Sequence, residues 1–222
     1  MACFRKSSVD DKCYSIKFLG EGSVDAGGPF RDSLVNIVQE MEDGLVPLLI
    51  KSPNNRNDHG TNRDCFIINP SSTSPAHLEM FKWLGGFIAY GILSKAPVPL
   101  SLAPTVWKQI LGERMTLSDL ESIDAYSSQV ITDMQNYSAS LSDADFAAGV
   151  DQNFSTVLSN GDEVALCENG QDRKVTKESI DEFIGLVLKA RFAEGTQQIK
   201  AIQEGLDQVF MGKLGLIAYL TP

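Results

Sequence analysis

The stretch Pro75–Lys95, PAHLEMFKWLGGFIAYGILSK, decides the fold. Ser74 stands just before Pro75, so proline falls in the first helical turn, where its missing N–H costs nothing. The serine oxygen is then free to accept from orphan N–H groups. Beyond Lys82 the apolar residues leave any single face. Trp83, Leu84, Phe87, Ile88, Ala89, Tyr90, Ile92 and Leu93 point all round the axis, the pattern of a helix buried on every side. Gly85, Gly86 and Gly91 each cost about 1 kcal/mol against alanine inside a helix, which is tolerable where neighbouring backbones press close. A membrane span needs about 20 uncharged residues, and Lys82 and Lys95 bracket a shorter run. The stretch reads as a central core helix with other elements wrapped around it.

Working outward, 222 residues at 43% hydrophobic suffice for one large domain or two small ones. Nineteen Lys and Arg against 29 Asp and Glu give a net charge of −10 and a pI near 4.7. Such a chain is not expected to bind nucleic acid, because phosphate contacts need clustered cations. Arg5 and Lys6 precede polar residues rather than an apolar run, so no signal peptide is read. Cys3, Cys13, Cys65 and Cys167 form no CxxC pair and no metal-ligand spacing, and His59 and His77 stand alone. Reduced thiols in a cytoplasmic or nuclear protein are expected, with no metal and no cofactor.

Tyr14–Leu19 alternates as a half-buried strand and runs into Gly20-Glu-Gly-Ser-Val-Asp-Ala-Gly-Gly-Pro29. Gly20-x-Gly22 after a strand suggests a nucleotide-binding loop. Asp25 argues against it, because its carboxylate repels a pyrophosphate and can itself accept from the N–H groups of the following helix. That helix carries Phe30, Leu34, Ile37, Val38 and Met41, and Gly44 should stop it. Leu45–Ile50 and Cys65–Asn69 read as short strands, with the polar SPNNRNDHGTNRD between them as a mobile excursion. No catalytic arrangement can be read around His59.

After Lys95, Pro97 and Pro99 mark a connection, and Pro104–Leu111 forms a short helix ended by Gly112. Ser118-Asp-Leu-Glu121 has the form of a capping box. Val130, Ile131, Met134 and Tyr137 make one stripe on the next helix, and Ser142–Phe146 a brief further one. Asn153–Leu158 and Glu163–Cys167 flank Asn160-Gly161, a hairpin signal, and Glu168-Asn-Gly170 is a second turn. Thr176 should cap a helix bearing Ile180, Phe183, Ile184, Val187 and Leu188. A last helix from about Gln197 turns Ile199, Ile202, Leu206 and Val209 inward. Leu220-Thr221-Pro222 announces one more helix as the sequence stops, which reads as a piece of a longer protein. The fold class is α+β, mostly α-helical, with a buried central helix and short β-hairpins.

These landmarks resemble the HECT-type ubiquitin ligases. The likeness is carried by Lys17-Phe-Leu-Gly-Glu-Gly-Ser-Val-Asp-Ala-Gly-Gly28, Arg63-Asp-Cys-Phe-Ile-Ile-Asn-Pro-Ser-Ser72 and Met80-Phe-Lys-Trp-Leu-Gly85. Leu102-Ala-Pro-Thr-Val-Trp-Lys-Gln109, Leu117-Ser-Asp-Leu120 and Glu204-Gly-Leu206 complete the series. The Val106-Trp-Lys-Gln109 version looks closest to the giant members with β-propeller-type repeats. The resemblance implies that residues 1–222 are the N-terminal lobe of the catalytic domain. In the family this lobe recruits a ubiquitin-charged conjugating enzyme. A C-terminal lobe then supplies the cysteine that takes ubiquitin as a thioester and hands it to a substrate lysine.

None of the four cysteines has that cysteine's Thr-Cys context, so no catalytic residue is assigned to this chain, and alone it is expected to make no thioester. The implied partners are a conjugating enzyme, ubiquitin and, through the parent protein, a protein substrate, with no membrane. The implied docking subregion is about 124–192. There the family's apolar groove maps onto Ile131 and Met134 on one helix, Phe183 and Val187 on the later one, and Phe146 between them. An aromatic residue is common in the family where Val187 stands. Residues 131 and 134, like 183 and 187, share a helix face, although a stripe of this kind is more often core than interface. Two other readings compete: a nucleotide-binding enzyme using Gly20–Gly28, and a non-catalytic interaction module of the same shape.

Overall fold

The computed structural model describes residues 28–94 and 98–210. The strand read at Tyr14–Leu19, the glycine turn with Asp25, and Leu220-Thr221-Pro222 lie outside the described residues.

The first helix, α1 (Gly28–Glu42), buries Phe30, Leu34, Val38 and Met41 at helical spacing. It is followed by Gly44 at φ 77°, a left-handed conformation open to glycine. Strands β1 (Leu49–Lys51) and β2 (Phe66–Ile68) pair antiparallel, Leu49 opposite Ile68 and Lys51 opposite Phe66. The central helix, α3 (Pro75–Ser94), starts as its sequence predicts, with Ser74 Oγ accepting from the His77 N–H at 3.2 Å. Phe81, Leu84, Phe87, Ala89 and Tyr90 are buried. Burial on every side does not extend to the end, for Ile92 and Leu93 are 44% and 37% exposed. Helix α9 (Thr196–Phe210) packs backbone to backbone against α3 at Gly85, where a Cβ would run into the Ile202 carbonyl oxygen. Helix α4 (Pro104–Leu111) ends at Gly112, φ 71°, and adds Val106 and Ile110 to this first core.

The segment between β1 and β2 is not an excursion. It holds a short helix, α2 (Pro53–Asn57), capped by Ser52. The wholly buried Asn54 donates through Nδ2 to the Thr61 and Glu121 carbonyls, each at 3.0 Å. Its Oδ1 accepts from the Ala125 N–H at 2.8 Å. A polar composition predicts solvation only when the polar groups lack partners, and here one carboxamide satisfies three backbone groups.

A second apolar core is built from α5 (Leu117–Glu121), α6 (Ala125–Ser140), α7 (Asp143–Gly149) and α8 (Ile180–Ala193), with the 3₁₀ turn Lys177–Ser179 leading into α8. The capping interaction at α5 is displaced two residues from the expected one. Asp119, not Glu121, accepts from the Thr116 N–H and hydroxyl, both at 2.8 Å. Strands β3 (Ser155–Val157) and β4 (Glu163–Ala165) form the second antiparallel pair. Their connection, Leu158–Asp162, holds the expected Asn160-Gly161 turn, with Gly161 at φ 93° and Asn160 Oδ1 accepting from the Asp162 N–H.

Candidate functional site

Packing of three helices brings together the five residues read from the sequence as a groove. Ile131 and Met134 project from α6, Phe146 from α7, and Phe183 and Val187 from α8, all into the second core. Their side chains are turned inward, none more than 4% exposed. Leu120, Phe154, Val175 and Ile180 fill the space among them. The Phe183 ring meets Phe154 edge to face, centroids 5.6 Å apart, and the Arg173 guanidinium lies 3.8 Å from the Phe154 ring centre. Arg173 is held there by paired hydrogen bonds to Glu182, 2.9 and 2.6 Å. Phe146 borders an opening of about 450 Å³ between α7 and the Thr176 turn, rimmed by Asp143, Asp151, Lys174 and Lys177.

The stripe read as Val130, Ile131, Met134 and Tyr137 divides. Ile131 and Met134 face the core, whereas Val130 and Tyr137 are 52% and 46% exposed. Tyr126, one turn before Val130, is 56% exposed and stacks on His59 at 4.6 Å. Tyr126, Val130, Asp133 and Tyr137, at i, i+4, i+7 and i+11, therefore form a mixed but largely apolar outer face on α6. The sequence carries that signal in the same spacing, and a stripe counted from Val130 leaves Tyr126 out.

The two cores meet at a buried ionic knot. Arg191, its side chain 1% exposed, donates to Asp124 Oδ2 at 2.9 Å and to Glu194 Oε1 at 2.6 Å. It also reaches the Ser127 and Ser159 hydroxyls. Asp124 meanwhile caps α6 through the Ser127 N–H. Near the same junction burial opposes ionisation of Asp119, yet hydrogen bonds from Lys108 and Thr116 hold its carboxyl below the usual range. Cys65 shows the reverse. Burial first, then the neighbouring Asp64 carboxylate, push its thiol up, away from the thiolate a nucleophile needs.

Two helical cores joined by a polar seam, with an exposed apolar helix face on the second, define a mostly helical scaffold lobe. The sequence profile of the HECT-domain (ubiquitin-transferase) family matches residues 33–221, and the chain belongs to that family. It is 30% identical over 198 residues to the mouse and human E3 ubiquitin-protein ligases HERC2, an alignment covering 89% of this chain and 4% of theirs. It is likewise 30% identical over 215 residues to the E3 ubiquitin-protein ligase RSP5 of Chaetomium thermophilum, covering 92% of this chain and 24% of that one. The chain thus spans a small part of these relatives. Among the described residues no helix is long and apolar enough to cross a membrane.

Proposed function

We propose that this chain is the N-terminal lobe of a HECT-type ubiquitin ligase and docks a ubiquitin-charged conjugating enzyme on its second core. Ubiquitin passes from there to a cysteine on a C-terminal lobe of the parent protein, and then to a substrate lysine. The reaction is two successive acyl transfers, a thiolate attacking one thioester and an amine the next. The lobe contributes proximity and orientation rather than a nucleophile.

The observation that carries the docking reading is the outer face of α6. Tyr126, Val130 and Tyr137 are large apolar side chains about half exposed on one helix, the material from which interface hot spots are made. Ile131, Met134, Phe146, Phe183 and Val187 form the packed floor that holds α6, α7 and α8 in place beneath that face. The test is a titration of the folded chain with a panel of ubiquitin-conjugating enzymes, wild type beside Tyr137→Ala. Saturable binding weakened at least tenfold in the variant supports the reading. Binding that Tyr137→Ala leaves unchanged moves the site elsewhere, and no binding to any member leaves a non-catalytic module of the same shape.

A further inference from the structure

We infer that the α6 face selects a partner whose docking surface is basic. In the terms of the proposed function, which this inference rests on and deepens, the lobe takes conjugating enzymes with lysine and arginine around their apolar contact in preference to neutral or acidic ones.

The charge distribution argues for it. From Met115 to Asp172 the sequence contains eleven aspartates and glutamates and no lysine, arginine or histidine. Some of these acids are neutralised within the lobe: Asp119 by Lys108, Asp124 by Arg191, Asp143 by Lys177 and Asp151 by Lys174. Asp133, on the outer face itself, and Asp145, in the first turn of α7, are not. Asp133, between Val130 and Tyr137 on that face, accepts from the neutral Gln129 amide at 2.8 Å. Asp145, just past the end of α6, accepts from the Ser142 hydroxyl at 2.6 Å. A neutral donor orders a carboxylate without cancelling its charge. Helix α6 itself has no cation over Ala125–Ser140 to offset them.

The outcome is an apolar strip set in a negative field. Neither feature alone specifies an occupant. Together they do: the strip needs an apolar or aromatic knob, and the field repels any such knob carried on an acidic surface. Like-charge exclusion acts on encounter and is strongest at low ionic strength.

The test uses the whole chain and purified conjugating enzymes chosen to span acidic to basic docking faces. Dissociation constants are measured at 50, 150 and 400 mM salt. The expected result is at least tenfold tighter binding of the basic members at 50 mM, with the advantage shrinking as salt rises. Asp133→Lys should cut that advantage at least threefold while leaving the melting temperature close to wild type. Rank order independent of partner charge, with no salt dependence, overturns this inference but leaves docking intact. Tyr137-dependent binding of the basic and acidic members alike does the same. Failure of every conjugating enzyme to bind removes the docking reading, and this inference with it.

Discussion

Gly85 of α3 and Gly205 of α9 meet across a helix crossing in which each admits the other helix's backbone. A Cβ on Gly85 would strike the Ile202 carbonyl and lie 3.0 Å from the Leu206 nitrogen. One on Gly205 would strike the Lys82 carbonyl and lie 2.9 Å from the Gly86 nitrogen. The obstructing atoms are main chain, so no side-chain rotation relieves them.

Alanine at either glycine therefore sets two effects against each other. Helix propensity favours alanine by about 1 kcal/mol, while overpacking costs about 1–3 kcal/mol and more where backbone must move. Both Gly85→Ala and Gly205→Ala should destabilise the chain. Gly185→Ala is the control, because its Cβ meets nothing within 4 Å in α8, and it should stabilise by up to about 1 kcal/mol. Denaturant midpoints at unchanged slope measure all three. Equal destabilisation by Gly185→Ala would show that the crossing is not the cause.

Arg191 gives a second expectation. Its guanidinium balances the Asp124 and Glu194 carboxylates at 1% side-chain exposure. Arg191→Met leaves two carboxylates buried without a cation and should cost about 3–5 kcal/mol. Adding Asp124→Asn and Glu194→Gln removes the stranded charges, so the triple variant should recover part of that loss in chemical denaturation. No recovery would mean that the guanidinium acts by packing alone.

The pH dependence follows from Asp119, whose carboxyl is held below its usual range by Lys108 and Thr116 against the opposing effect of burial. A folded-state pKa below the unfolded one means that the ionised form favours folding. The contribution is present above about pH 4, the ordinary aspartate value, and is lost as pH falls through the depressed value. Asp119→Asn should lower the melting temperature at pH 7, by the equivalent of about 1 kcal/mol for a lost cap, and converge on wild type towards pH 2. A constant gap from pH 7 to pH 2 would contradict this.

Much of the helical scaffold could be read because it rests on short-range rules. Gly44 and Gly112 stand where the helices stop, and Ile199, Ile202, Leu206 and Val209 do turn inward. Asn54 shows what such rules miss. Its partners Glu121 and Ala125 lie about seventy residues away, and no local pattern announces that a carboxamide in a polar stretch will be buried. The site divides on the same principle. Helical spacing put Ile131, Met134, Phe183 and Val187 on shared faces, but spacing does not say whether a face looks into the lobe or out of it. Phe154, Val175 and Ile180, from elsewhere in the chain, complete the core around them.

That division decides which variants can test docking. Phe183 is 4% exposed and packed against Phe154, so Phe183→Ala opens a cavity and should cost about 3–5 kcal/mol of stability. Any loss of partner binding in that variant is confounded with loss of the folded lobe. Tyr137 is 46% exposed, and truncating it should change stability by no more than about 0.5 kcal/mol while removing a contact of the size that carries about 2 kcal/mol in hot spots. Stability and partner affinity measured on both variants should therefore separate, with Phe183→Ala failing in both and Tyr137→Ala in affinity alone. If instead Tyr137→Ala binds normally, and Phe183→Ala binds poorly at a temperature where it is shown to be folded, the contact lies on the inner cluster. The lobe would then have to open α6 from α8 to receive its partner.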